Sequence, residues 1–168
     1  MTITIIGMPG CGKSCMGKAL ARKLKLKNID GDRLIERVTG RKLQNIIDED
    51  GLDAFMELER KTLLSIDSDG LVISPGGSSV YYRDVMEHFK RIGKVIYLYC
   101  SYEVIVSRLG DFSSRGVVLK PGQTLKDLYE ERCRLYEKYA DIVIDCSGNA
   151  YPKYQARAIS AIKYTMEN

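Results

Sequence analysis

The sequence predicts an α/β fold, a three-layer sandwich in which helices cover both faces of a parallel sheet of about five strands. Three observations carry that prediction. Short apolar or β-branched runs recur at "TITII" (2–6), "LVIS" (71–74), "KVIYLYC" (94–100) and "DIVID" (141–145), each compact enough to be a strand buried on both faces. Helical patterns separate them, as the crossovers between parallel neighbours require. At 168 residues and 19.0 kDa, the chain suits a single domain, 1–168.

Taken in order, "TITII" is followed by "KSCMGKALARKLKL", which places Met16, Leu20 and Leu24 four residues apart on one helix face. A weaker extended segment, "KNID", precedes Gly31. From about 31 to 68 the chain departs from simple alternation in a long helical excursion that includes "DAFMELERKTLLSI", and this region is expected to form a substrate wall. "YYRDVMEHFKRI", "YEVIVSRL", "TLKDLYEERCRLYEKYA" and "PKYQARAISAIKYTM" are the remaining helical patterns. The polar stretch "GDFSSRGVVLKPGQ" at 110–123 is expected to be a mobile lid. No internal repeat or low-complexity tract is visible.

Composition narrows the function classes. Hydrophobic residues at 45% and charged residues at 29% are ordinary for a globular protein and exclude a largely disordered chain. The net charge of +4 comes from Lys and Arg scattered along helices, with no basic tail or aromatic-interleaved patch, so no nucleic-acid partner is expected. The first apolar run is too short for a membrane span and lacks the flanks of a signal peptide, so no membrane partner is expected either. Five cysteines form neither a C-x-x-C pair nor a zinc spacing, which fits reduced thiols and a cytoplasmic protein. His88, the lone histidine, falls in a helix of mixed charge and is expected at a surface or boundary.

The chemistry starts at "GMPGCGKS", residues 7–14, which fits G-x-x-x-x-G-K-[ST] directly after a strand and before a helix. Gly10 and Gly12 allow the backbone turn by which successive N–H groups converge on an anion at the positive end of the helix. Lys13 would neutralise β/γ-phosphate charge and the Ser14 hydroxyl would ligate Mg²⁺. Cys11 lies inside this loop, where the backbone does the binding and its side chain is incidental. Two carboxylates, Asp30 and Asp32, stand two apart at the end of "KNID" and would project together from an extended segment. They could divide labour between a magnesium water and a substrate hydroxyl's proton, or simply cap a helix. "SPGGSS" (74–79) is either a close-approach loop for a ligand or an ordinary turn. Arg115, within the lid, either folds over a transferring phosphoryl group or is a solvated arginine.

Together "GMPGCGKS", "DGDRLIE", "GLDAFMELE", "SPGGSSV", "SSRGVVL" and "YEERCRLYEKYADIVID" resemble, in order and spacing, the shikimate kinases, small P-loop enzymes of the nucleoside monophosphate kinase type. The resemblance covers nearly the whole chain. It implies a P-loop kinase fold with strand order 2-3-1-4-5 and ATP-dependent phosphorylation of shikimate with ATP and Mg²⁺ as cofactors; a monomer is expected. It places Gly10, Cys11, Gly12, Lys13, Ser14, Cys15, Arg108 and Arg115 around ATP, with Arg108 and "SGNAYP" against adenine. Ser14 and Asp30 would serve the metal. Asp32 would act as base and hold the acceptor's hydroxyls, with Gly76, Gly77 and Arg132 completing the acceptor site and Lys13, Asp32 and Arg115 forming the catalytic group. Three positions depart from the family pattern: Met56 stands where an arginine is usual, Ser78 where a third glycine is usual, and Gly116 where the lid arginine is usually followed by proline. Two rival functions remain open, phosphorylation of another polyol and a nucleotide sensor without turnover.

Overall fold

The computed structural model describes residues 1–110, 117, 119–148 and 151–167; Arg115 and Gly116 lie outside the described residues. Five parallel strands, β1 (Thr2–Ile6), β2 (Lys27–Asp30), β3 (Leu71–Ser74), β4 (Gly93–Tyr99) and β5 (Ile142–Asp145), pair in the order β2-β3-β1-β4-β5. The central strand is buried along its whole length, with Ile3 opposite Val72 on one side and Lys94 on the other. That explains its unbroken apolar reading. β2 and β5 are edges with exposed positions, and the edge position is why "KNID" reads weakly as a strand.

Eight helices are described: α1 (Lys13–Leu24), α2 (Gly31–Thr39), α3 (Leu43–Asp50), α4 (Leu52–Leu64), α5 (Arg83–Ile92), α6 (Tyr102–Leu109), α7 (Leu125–Tyr139) and α8 (Tyr151–Glu167). Their ends follow local chemistry. Thr124 and Asp127 form a reciprocal capping box at the start of α7, and Gly40, at φ 69°, closes α2 in the left-handed conformation that glycine favours. The predicted helical excursion is α2, α3 and α4 between β2 and β3.

Two apolar clusters hold these elements. The larger joins both faces of the sheet, from Ile3, Ile5 and Leu20 to Phe89, Tyr97 and Tyr136. The smaller consists of buried Ile35, Ile46 and Phe55, one each from α2, α3 and α4. Met56 packs against both.

His88 departs from expectation. It is 8% exposed, and its Nε2 and Nδ1 lie 2.8 Å from the Ile66 carbonyl and the Arg91 guanidinium respectively. Arg91 can only donate, so Nδ1 accepts and Nε2–H donates to Ile66. Its neighbours within α5 read as mixed charge, but the helix turns this position onto the segment after α4, which no local pattern reveals.

Candidate active site

The phosphate loop links the buried end of β1 to the first turn of α1. Gly10 and Gly12 have φ of 82° and 100°, a region that glycine occupies without strain. Cys11 is 4% exposed beneath the loop, and its thiol packs in the main core, in keeping with an incidental side chain. Lys13 Nζ donates to the Gly7 and Met8 carbonyls at 2.8 and 3.1 Å, so the ammonium is held back across the loop. The first N–H groups of α1 have no partner within the helix and are the donors an anion would meet.

Asp30 does two jobs at once. Its Oδ1 accepts from the Arg33 N–H at 3.3 Å as the cap of α2, while Oδ2 accepts from Ser14 Oγ at 2.8 Å. The cap reading of this residue therefore holds, and its second oxygen faces Ser14 beside the phosphate loop. Asp32 is brought close for a different reason from the one expected: the chain leaves β2 at Asp30, so Asp32 lies in the first turn of α2 and not on a shared extended segment. Gly31, whose missing Cβ would stand 3.0 Å from the Pro75 backbone, lets that turn sit against the strand-end loop.

From the phosphate loop a cleft of about 920 Å³ runs past Asp30 and Asp32 to Gly76, Gly77 and Arg132. That is the size of an ordinary small-molecule site. Asp32 is open to the cleft yet has protein on most sides. Desolvation by those walls, then the charge of Asp30, raises its carboxyl above the usual carboxylate range, against the pull of Lys13. A carboxylate held this way is a better proton acceptor than a solvated one.

Gly76 and Gly77 form more than an ordinary turn. A Cβ on Gly76 would stand 2.6 Å from Glu59 Oε1 and 3.3 Å from Asp32 Oδ1; one on Gly77 would stand 3.1 Å from Arg132 Nη1. Adjacent glycines thus let two carboxylates and a guanidinium close around one short backbone. Arg132, on α7, is only 6% exposed. Its Nε donates to the Tyr81 hydroxyl at 3.4 Å, and its guanidinium lies 5.4 Å from the Tyr81 ring centroid.

Glu59 was absent from the expected site. It is 1% exposed on α4, and its Oε2 accepts from Ser78 Oγ at 2.8 Å and Tyr82 OH at 2.7 Å. Burial raises its carboxyl above the usual range; the two hydrogen bonds oppose that shift. The available signal was its spacing from Phe55 and Met56, which puts all three within one turn of α4. Ser78, where the family pattern has glycine, thus supplies a donor to a buried carboxylate.

Cys15 lines the cleft near Ser14, whereas Arg108 does not. Arg108 is tied to the ends of β4 and β5 through Cys100 Sγ at 3.4 Å and the Cys146 carbonyl at 3.3 Å. Its Cβ lies 3.8 Å from where a Cβ on Gly10 would be, so it flanks the phosphate loop. Burial pushes the neighbouring thiols up, Cys100 to about 11 and Cys146 to about 12, which leaves them unreactive. Arg115, expected over the phosphoryl group, lies outside the described residues.

The profile of the shikimate kinase family matches residues 9–163. A shikimate kinase from Sulfurihydrogenibium sp. (strain YO3AOP1) is 35% identical over 162 residues, covering 96% of this chain and 97% of the relative. The chain belongs to the shikimate kinase family. One from Bacillus anthracis (strain CDC 684 / NRRL 3495) is 34% identical over 89% of this chain and 90% of its own length. Among solved structures, the shikimate kinase from Acinetobacter baumannii in complex with shikimate superposes with a TM-score of 0.88 at 29% identity, covering 98% of this chain and 93% of that one. The Aquifex aeolicus shikimate kinase gives 0.85 at 26% identity over the full length of both chains. Membership makes this an ATP-dependent small-molecule kinase with the P-loop kinase fold, and the sheet order is the one the resemblance implied.

Proposed function

We propose that the protein transfers the γ-phosphoryl group of ATP to a hydroxyl of shikimate, yielding shikimate 3-phosphate. The observation that carries this reading is the continuity of one cleft from Lys13 and Ser14, past Asp32, to the buried Arg132. A phosphate-binding loop, a proton acceptor and a carboxylate-binding guanidinium lie in the order such a transfer needs. Similarity to the A. baumannii protein, solved with shikimate, supports the choice of acceptor.

In this mechanism the loop amides and Lys13 hold the β- and γ-phosphates and offset the charge that grows on the departing oxygen. Asp32 holds the acceptor hydroxyl and takes its proton as the new P–O bond forms and the bond to the β-phosphate oxygen breaks. Arg132 fixes the far end of the acceptor through its carboxylate, so that the hydroxyl meets the phosphoryl group in line. Gly76 and Gly77 keep that path clear of side chains. Arg115 is assigned to cover the phosphoryl group and Arg108 to flank the nucleotide base.

Magnesium fits the donors present. Ser14 Oγ and Asp30 Oδ2 are exposed oxygens 2.8 Å apart beside the loop. No group of three or more His, Cys, Asp or Glu suited to a metal exists among the described residues. A few oxygens, supplemented by phosphates and water, is how Mg²⁺ is usually held. The bound ion would neutralise phosphate charge.

The whole chain is read as one kinase domain acting as a monomer in the cytoplasm, with 31–68 binding the acceptor and 110–123 serving as lid. Among the described residues no helix is long and apolar enough to cross a membrane, and all five cysteines are free, as a reducing compartment would keep them. A coupled ADP-release assay over shikimate, quinate and related polyols tests the function. Shikimate is expected to give the highest kcat/KM, with dependence on ATP and magnesium. Preference for another polyol, or ATP binding without turnover on any acceptor, would replace this reading by one of its two rivals.

A further inference from the structure

Arg132 is the buried cation of the acceptor end, and among the described residues its one side-chain hydrogen bond is to Tyr81. Asp32 and Glu59 both lie against the adjoining glycine, and Met56 lines the cleft without a charge. A single guanidinium facing two carboxylates leaves little excess positive charge for an acid.

A second cation stands against the same aromatic ring. Lys120 Nζ lies 5.9 Å from the Tyr81 centroid, and Lys120, Tyr81 and Arg132 all line the cleft. Lys120–Gln123 form a tight turn in which the Gln123 N–H donates to the Lys120 carbonyl at 3.0 Å. Pro121 takes the second position and Gly122, at φ 78°, the third, as a type II turn demands. Gln123 Oε1 accepts from the Lys120 N–H at 3.2 Å, and its Nε2 donates to Glu131 on α7 at 3.1 Å. The ammonium reaches Glu131 at 3.5 Å, but those side chains are 72% and 37% exposed, so water competes strongly for that pair.

We propose that Lys120 is the second cation of the acceptor site and, across the Tyr81 ring from Arg132, binds the acceptor's carboxylate. This rests on the proposed reading that an acidic acceptor meets Arg132. The Tyr81 hydroxyl accepts from Arg132 and its proton faces the Glu131 carboxylate, so an entering acid competes with Glu131 for Tyr81 as well as for Lys120. An entering acid draws Lys120 away from its solvated partner into a contact shielded by Tyr81, where the attraction is stronger.

Calorimetric titration with shikimate and with its methyl ester, alongside turnover, tests the assignment. In Lys120→Met, shikimate is expected to bind about tenfold more weakly, while the ester and ATP bind as they do to the parent; Lys120→Arg restores shikimate binding. Glu131→Gln separates ligand binding from a structural pairing. If Lys120 serves the acceptor, releasing it from Glu131 leaves shikimate affinity equal or higher; if the pair merely braces the turn, E131Q weakens binding as K120M does. Unchanged shikimate affinity in K120M, equal loss for acid and ester, or a parent that binds no shikimate overturns the proposal. A parent that binds shikimate without phosphorylating it overturns the function proposed above, and the Lys120 comparison still decides on affinity alone.

Discussion

The phosphate end and the acceptor end of the cleft rest on cores of different size. Lys13 and Ser14 extend from β1 and α1, which the large cluster grips through Ile3, Ile5, Met16 and Leu20. The wall of α2, α3 and α4, proposed to bind the acceptor, closes on a cluster whose buried members among the described residues are Ile35, Ile46 and Phe55. At the phosphate end the loop pattern is intact. At the acceptor end Met56 and Ser78 depart from the family pattern, and Tyr81 and Tyr82 add contacts to Arg132 and Glu59. A loop constrained by a deep core and by fixed backbone dihedrals tolerates little change. A wall on a small cluster can exchange polar partners as a set, as when Ser78 and Tyr82 satisfy Glu59.

The largest expected effect tests the phosphate end. Lys13→Ala should lower kcat by about three orders of magnitude or more, because a charge opposite the departing phosphate oxygen acts mainly in the transition state. Thermal unfolding should be nearly unchanged, since among the described residues the Lys13 ammonium bonds the Gly7 and Met8 carbonyls of its own loop. Turnover at the parent rate by the folded mutant would remove Lys13 from the mechanism.

Asp32 lies between the two ends and should come next in size. Asp32→Asn is expected to lower kcat by about two to three orders of magnitude with ATP affinity almost unchanged. The pH profile carries the sign. Asp32 must be deprotonated to accept, and the cleft walls and Asp30 raise its pKa. Parental kcat/KM should therefore rise with pH through an acid limb that lies above the range of a solvated aspartate, and D32N should lose that limb. A limb at the ordinary carboxylate position would show that the walls do not desolvate Asp32 in solution.

The two cores can be compared directly through Ile5 and Ile46, at 0% and 1% exposure. Ile5→Ala opens a cavity in the rigid centre of the sheet and should cost about 4 kcal/mol; Ile46→Ala, in a cluster that can collapse, should cost about 2 kcal/mol. Chemical unfolding measures both. I46A should also raise the acceptor's KM while leaving that of ATP alone, and a rise in both would mean that the two ends are not independent.

The contrast also governs what could be read from the sequence. Buried parallel strands declare themselves as apolar runs, and the phosphate loop is contiguous, so fold and nucleotide end were both legible from residues 2–14 and the later strands. Asp32 was found through a two-residue spacing whose structural basis turned out to be a strand-to-helix turn. Glu59, Tyr81 and Lys120 were not legible in the same way. They come from α4, the turn before α5 and the turn before α7, and meet only when β3 and α7 bring those segments together. His88 was misplaced for a related reason: a helix's local charge does not reveal which neighbouring segment covers it.

The smallest expected effect concerns Met56, where the acceptor end differs most plainly from the family pattern. Met56→Arg places a guanidinium three residues before Glu59 on α4, within reach of its carboxylate, which burial holds above the usual pKa range. Pairing would favour the ionised form of Glu59 and align the new guanidinium along the cleft. If Arg132 and Lys120 both serve the acceptor's carboxylate, as proposed, a third cation has little left to neutralise, and KM for shikimate should fall by no more than about threefold. In a Lys120→Met background the same substitution should recover most of the lost affinity, because a cation from α4 then replaces the one from the turn before α7. Steady-state kinetics of the parent, both single mutants and the double mutant measure this coupling. Strictly additive effects would show that residues 56 and 120 do not serve one carboxylate. Loss of shikimate turnover in M56R alone, with activity retained by the parent, would mean that the thioether packs against the acceptor's apolar face and that burying a charge there costs more than a new ion pair returns.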